Sequence, residues 1–220
     1  MAFAAAGRPS MTVVSLKVGT GDNSNSSVLR IGLSDGSLFS FKLPYLPVEF
    51  QDEAFFSPGR ELSSVEEESC RFAAACYRTE RAALRLVARA EQTCRGIAHK
   101  LELRGFAAAC IQVVVAYLTD LEIINDERYA VLWLHARLAR SAEAPRKLLA
   151  ALRRRGIGSS AAGEALRTVL DVQTESALLQ RYLKKKYPHD PKTDKFLKKH
   201  LKYEGFSPSV IERVWDEEEI

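Results

Sequence analysis

A six-residue pattern that comes round three times constrains this chain more than anything else in it. Leu101-Glu102-Leu103-Arg104-Gly105-Phe106, Leu152-Arg153-Arg154-Arg155-Gly156-Ile157 and Leu201-Lys202-Tyr203-Glu204-Gly205-Phe206 each read as a leucine, three mostly polar residues, a glycine and a large apolar residue. The glycines lie 51 and 49 positions apart. Four positions before each leucine stands Ile97, Leu148 or Leu197. Five after the final apolar residue stands Ile111, Ala162 or Ile211, and nine after it Val115, Leu166 or Trp215. A register held over three copies marks an internal repeat. Glycine just past an apolar helix end is the usual left-handed terminus, and the apolar residue after it turns the chain back onto the helix. Each copy is therefore expected to be a helix, a second helix ending at the glycine, and a third packed back on both.

The expected fold is mainly α: three tandem three-helix repeats in an elongated curved stack, preceded by a small N-terminal β-hairpin or sheet region. The boundaries fall at 1–60 for the β-rich extension and connector, then 61–125, 126–173 and 174–220. In the first repeat, Ser63 or Ser64 followed by Glu66-Glu67-Glu68 signals a helix start. That helix runs to about Ala90, with Phe72, Ala73, Cys76, Tyr77, Ala83, Leu84 and Val87 on its apolar side. Thr93 caps a second, Cys94 to Leu103, and Ala108 to Leu121 is a third, striped by Ile111, Val114, Val115 and Leu118 and broadened by Val113. The second repeat opens at Asp126-Glu127-Arg128-Tyr129-Ala130, with carboxylates in its first turn and Tyr129, Trp133, Leu134 and Leu138 on one face. Pro145 starts its middle helix and Gly156 stops it. Ser159 or Ser160 caps a helix from Ala161 to about Val172. The third repeat starts at Thr174, breaks at Tyr187-Pro188-His189-Asp190-Pro191, resumes from Lys192 to Tyr203, and ends with a helix from Ser209 behind Ser207-Pro208.

Residues 12–42 have another character. Val13–Val18 and Ser27–Gly32 alternate like strands around a polar loop, and Asp35-Gly36 before Leu38-Phe39-Ser40-Phe41 is a hairpin signal. Three short strands bury little alone, so this sheet either packs on the first helices or moves freely.

The net charge of +4 is unevenly spread. Residues 1–68 hold 5 basic and 9 acidic side chains, residues 69–215 hold 27 and 15, and Asp216 to Glu219 are all acidic. A basic helical body calls for a polyanion or an acidic protein surface as partner. No apolar run approaches the length of a membrane span, and the first ten residues do not read as a signal peptide, so a cytoplasmic location is expected. Met11 is an alternative start. Cys70, Cys76, Cys94 and Cys110 lack metal-ligand spacing and read as buried reduced thiols. His99, His135, His189 and His200 are scattered, and no phosphate-binding glycine loop or nucleophile elbow is present. Asp126 and Glu127 are adjacent, so a helix points them about 100° apart, which is no acid–base pair. No catalytic residue, metal or cofactor is expected, and the chain does not read as an enzyme.

The run Asp126 to Ala130, the arginine-rich helix after it, Pro145-Arg146-Lys147-Leu148 and the recurring Leu-x-x-x-Gly-Phe/Ile resemble the bacterial RecX regulators over roughly residues 70–217. Residues 1–60 lie outside the pattern common in that family. The resemblance implies a regulator of RecA recombinase in recombination, DNA repair and the SOS response. It would act as a monomer of stacked three-helix modules along the groove of the RecA–single-stranded DNA filament, suppressing ATPase and strand exchange. Candidate contacts are Arg137, Arg140, Arg146, Lys147, Arg153, Arg154, Arg155, Lys184, Lys185, Lys195, Lys198, Lys199 and Lys202. Guanidinium and ammonium groups at these positions suit phosphates and carboxylates. Tyr182, Tyr187, Phe196, Tyr203, Phe206 and Trp215 interleave with the lysines, but their helical spacing favours the core, with Tyr187 the exception. Two alternatives stand beside this reading: a self-sufficient helical protein for duplex DNA, and an adaptor acting through its N-terminal sheet.

Overall fold

The structure, a computed structural model, describes residues 11–20, 27–187 and 196–217. Among these are nine α-helices and one four-stranded antiparallel sheet, so the chain is mostly helical behind a small N-terminal sheet. The chain forms two compact units. The first comprises Met1–Ala90 and Ile97–Leu121; the second comprises Glu91–Gly96 and Glu122–Ile220.

In the first unit, β1 (Met11–Thr20), β2 (Ser27–Leu33), β3 (Leu38–Phe41) and β4 (Glu61–Leu62) lie in the order β3-β2-β1-β4. The expected hairpin closes at Asp35-Gly36: Gly36 takes φ 85°, and the Asp35 carboxylate accepts from the Ser37 amide and hydroxyl, each at 2.8 Å. A register shift between Val13 and Ser15 sets Val14 outside the ladder. The fourth strand, which the sequence pattern does not signal, is only two residues and pairs with Met11 and Thr12, too short for alternation to reveal. The sheet is not free: β3 packs on α1 (Ser64–Val87), which also packs on α3 (Ala108–Asp120). A capping box at Ser63 and Glu66 starts α1 as expected.

Phe72 and Val113, placed on apolar stripes by hydrophobicity, are instead exposed. The buried face of α1 is made of small side chains, Ala73, Ala74, Cys76 and Ala83, together with Glu80. That carboxylate lies 2.5 Å from the Lys42 ammonium and accepts from the Tyr45 hydroxyl at 3.0 Å, all three groups being buried. This pair lies on the inward face of α1 and the aromatic ring does not. Phe72 stands about 100° round the helix from Ala73.

The second unit contains α4 (Asp126–Arg140), α5 (Pro145–Arg154), α6 (Ser159–Val169), α7 (Val172–Lys186), α8 (Leu197–Tyr203) and α9 (Pro208–Glu217). One hydrophobic core joins these helices, from Ala130, Leu134 and Leu148 to Leu178, Leu201 and Val214. Helix α6 begins at Ser159 with Gly158 at the cap and no side-chain cap bond, so neither serine caps it as expected; it stops at Val169. Asp171 then caps α7, accepting from the Thr174 amide at 2.7 Å, which starts that helix two residues before Thr174. The expected first residues of α8, Lys192 to Lys195, lie outside the described residues.

The repeated pattern has one structural meaning. Gly105, Gly156 and Gly205 take φ of 79°, 94° and 93°. In each copy the residue after the glycine donates its amide to the carbonyl of the leucine five positions back: Phe106 to Leu101, Ile157 to Leu152, Phe206 to Leu201, at 3.1–3.2 Å. The glycine amide donates to the residue after that leucine, Glu102, Arg153 or Lys202. These are the two bonds of a Schellman terminus, satisfying carbonyls that the helix end would otherwise orphan. The register then continues into the third helix (α3, α6 or α9). The residue five after the terminus, Ile111, Ala162 or Ile211, is buried; three further on, Val114, Ala165 and Val214 are buried, while Val115, Leu166 and Trp215 are only partly covered. The expected contact at position nine is thus made mainly at position eight.

Candidate nucleic-acid interface

Helix α2 (Cys94–Glu102) is held at its start by side chains from the second unit, to which its first turn belongs. The Asp126 carboxylate accepts from the Cys94 amide at 2.8 Å. Thr93 accepts from the Gly96 amide at 2.9 Å and donates to the Arg155 carbonyl at 3.1 Å. Asp126 therefore does more than stabilise its own helix dipole: it caps another helix. Asn125 caps α4. Arg128 clamps the preceding turn, donating to the Glu122 and Ile123 carbonyls at 3.1 Å and pairing with Glu91 at 2.7 Å. The run Asp126 to Ala130 is thus architectural.

The basic residues divide into three sets. At the end of α5, Arg153 and Arg154 are exposed, whereas Arg155 is partly buried. Its guanidinium lies 4.5 Å from the Trp133 ring and donates to the Ala151 carbonyl at 2.9 Å. Arg155 holds α5 to α4, a role no sequence spacing assigns.

The second set surrounds a cavity of about 410 Å³ lined by Ala142, Glu143, Ala144, Lys147, Tyr182, Lys185, Lys186 and Glu204. Here Lys147 of α5 and Lys185 and Lys186 of α7, far apart in sequence, converge. Glu143, buried, is ion-paired with Arg137 and lies 3.9 Å from the Lys147 ammonium. Lys186 donates to the Tyr182 hydroxyl at 2.8 Å, a bond that raises its pKa above the ordinary lysine value, and its Nζ lies 3.2 Å from His200 Nε2. Glu204 sits 3.7 Å from His200 on the same side. Three ammonium groups face two carboxylates, one of them neutralised by Arg137, so the cavity favours an anion. Sequence reasoning missed Glu143, whose burial follows from the turn between α4 and α5.

The third set is on α8. Lys199 and Lys202 are exposed, and Lys198 pairs with Glu212 at 2.5 Å beside the Trp215 ring. Of the interleaved aromatics, Tyr182 and Phe206 are buried, while Tyr187 and Trp215 are partly buried. Phe196 and Tyr203 are exposed, against expectation. Arg146 lies with its guanidinium 3.9 Å from the Tyr203 ring. Arg140 and Lys184 are exposed away from these contacts, and Lys195 lies outside the described residues.

A larger concavity in the first unit, about 610 Å³ and lined by residues such as Leu46, Val65, Phe72 and Val113, is apolar and presents no charged cluster. Among the described residues no cluster of ligating side chains is placed to hold a metal, and no helix is long and apolar enough to cross a membrane. Cys70, Cys76 and Cys110 are buried free thiols, and burial pushes the Cys70 thiol up to about 12.

Comparison with known proteins decides the family. Regulatory protein RecX of Treponema pallidum is 33% identical over 144 residues, a match spanning 64% of this chain and 86% of that protein. The chain belongs to the RecX family. Residues 125–166, which are α4, α5 and most of α6 with their links, match the family model for the second three-helix domain of RecX. A solved RecX from Lactobacillus salivarius superposes with a TM-score of 0.53 at 26% identity, covering 66% of this chain and 97% of that one. A further crystal structure of regulatory protein RecX superposes with a TM-score of 0.65 at 21% identity, over 94% of this chain and 99% of the other. That coverage reaches into residues 1–60, so the N-terminal sheet is not foreign to the RecX fold, as the sequence pattern alone suggested. The RecX family is one of regulatory proteins rather than of known enzymes.

Proposed function

We propose that this RecX protein regulates a RecA-type recombinase by binding the recombinase–single-stranded DNA filament, restraining ATP turnover and strand exchange. The observation that carries the reading is the convergence of Lys147, Lys185 and Lys186 on one concave site. A flexible ammonium at each of three points can follow a phosphate backbone or the carboxylates of a protein groove without a rigid template. Arg153 and Arg154, exposed at a helix end, add forked cations that suit either partner. The helical segments 61–125, 126–173 and 174–220 serve as successive contact modules of a single copy, so weak contacts along a repeating filament sum as avidity. Occupying the groove competes with incoming DNA and hinders the subunit movements coupled to ATP hydrolysis.

The test is inhibition of recombinase ATPase on single-stranded DNA. Replacing Lys147, Lys185, Arg153 and Arg154 together with alanine is expected to weaken inhibition at least tenfold. It should also flatten the salt dependence, by roughly 0.7 in log–log slope for each phosphate no longer neutralised. Helix content should stay as in the parent, because all four side chains are exposed. Arg155→Ala is expected to act differently, lowering stability by about 1 kcal/mol as the Trp133 ring loses its cation. Full inhibition by the fourfold variant overturns the proposal.

A further inference from the structure

We infer that the outer face of α8, together with Arg146, is a stacking platform for the unpaired bases of single-stranded nucleic acid, set beside the lysine cavity that takes the phosphates. The inference rests on the regulator reading only for where such a strand is met.

On α8, Lys199 and Tyr203 fall at i and i+4 on one face, and Phe196 precedes the helix as its N-cap residue. The Phe196 and Tyr203 rings are 76% and 65% exposed. A ring as large as that of Tyr203 is not left in water on a helix face for stability, since burying it would be worth a few kcal/mol. Two other aromatics of this trio do go inward: Tyr182 and Phe206 pack in the core with centroids 5.3 Å apart and rings tilted by 57°. One face of the Tyr203 ring is covered by the Arg146 guanidinium at 3.9 Å. The ring is therefore oriented by a cation on one side and still open over most of its surface, the geometry that accepts a base.

The surrounding charge points the same way. Lys199 and Lys202 are exposed on this helix, while the neighbouring acids are engaged, Glu204 beside His200 and Glu212 with Lys198. The Arg146 amide donates to the Glu204 carbonyl at 2.9 Å, tying the start of α5 to the end of α8. On both strands of that tie the next residue matters. Arg146 meets Tyr203 on the platform, while Lys147 and Glu204, each one position further along, line the cavity. A ring for a base and ammonium groups for a phosphate thus stand side by side, as successive parts of one nucleotide require. A duplex, its bases already stacked on each other, has no use for such a surface; a single strand does.

The experiment measures binding of the full chain, at low salt and by fluorescence anisotropy, to oligothymidylate and to an abasic oligomer of equal length. The parent is expected to prefer the base-bearing strand about tenfold. Tyr203→Ala should remove that preference and leave abasic binding unchanged, while Tyr203→Phe keeps it. Unchanged circular dichroism excludes a folding defect, because the side chain is exposed. Equal binding of the two oligomers by the parent overturns the platform. So does a Tyr203→Ala variant that keeps the base preference but loses hold of the recombinase filament, which would make this face a protein contact. Parallel ATPase measurements separate the two readings: a parent that prefers bases yet never inhibits the recombinase supports the platform and sinks the regulator.

Discussion

Substituting alanine at Gly105, Gly156 and Gly205 in turn puts one chemical change into three copies of one motif. All three residues have φ between 79° and 94°, so each variant meets the same left-handed penalty of about 1–2 kcal/mol, offset by a few tenths through a stiffer unfolded chain. What lies around the new methyl differs. At Gly105 nothing stands within 4 Å, so the expected cost is the conformational one alone, about 1 kcal/mol. At Gly205 the methyl would approach the Arg146 amide nitrogen at 3.3 Å and the Pro145 Cβ at 3.4 Å. The backbone must give by a few tenths of an ångström, and about 2 kcal/mol is expected. At Gly156 it would lie 2.6 Å from the Cβ of Arg95 and 2.7 Å from its Cδ. A Cβ cannot swing aside, so the first turn of α2 has to move, adding about 1–3 kcal/mol to the conformational cost. Because the chain has two compact units, native-state amide hydrogen exchange beside each glycine is the appropriate assay, with urea unfolding as a check. The expected order is Gly156 worst, then Gly205, then Gly105. Equal costs at the three sites, or Gly105 the most sensitive, would refute the reasoning.

Two further outcomes follow from the polar contacts. Glu80→Ala leaves the Lys42 ammonium buried without its carboxylate and should cost about 3–5 kcal/mol by urea unfolding, whereas replacing Lys42 and Glu80 by apolar residues of similar volume together with Tyr45→Phe, which removes the hydroxyl that donates to Glu80, should be close to neutral. The Asp171 carboxylate is held below the ordinary aspartate range by the Thr174 amide it caps, so its folded pKa lies under its unfolded one. Its contribution is present above the unfolded value and drains away as pH falls through the folded value; Asp171→Asn, which keeps a cap without a titrating group, should flatten that part of the acid-unfolding curve.

The features legible in the sequence are the local ones. The leucine–glycine pattern encodes its own hydrogen bonds within six residues, so three helix ends and the trio around each can be read from the chain alone. The Asp35-Gly36 hairpin and the Ser63–Glu66 capping box are local in the same sense. The misreadings come from partners distant in the chain. Glu80 lies on the inward face of α1 against Lys42, 38 positions away, whereas hydrophobicity alone points to Phe72. Arg155 is chemically identical to Arg153 and Arg154, and only the fold brings Trp133 against it. Lys147 and Lys185 are legible as cations but not as neighbours, since only the packing of the second unit joins them, and Glu143 is legible as neither.

The three residues enclosed by each leucine and glycine carry none of the bonds that define the turn through their side chains. In the three copies they are Glu-Leu-Arg, Arg-Arg-Arg and Lys-Tyr-Glu, and most of them face water. Arg155 apart, whose side chain rests on Trp133, such a triplet can be rewritten at little thermodynamic risk, because the turn itself needs only its two ends. A chain built this way carries three interchangeable display windows on an invariant frame, and divergence among the copies is where each acquires its own business.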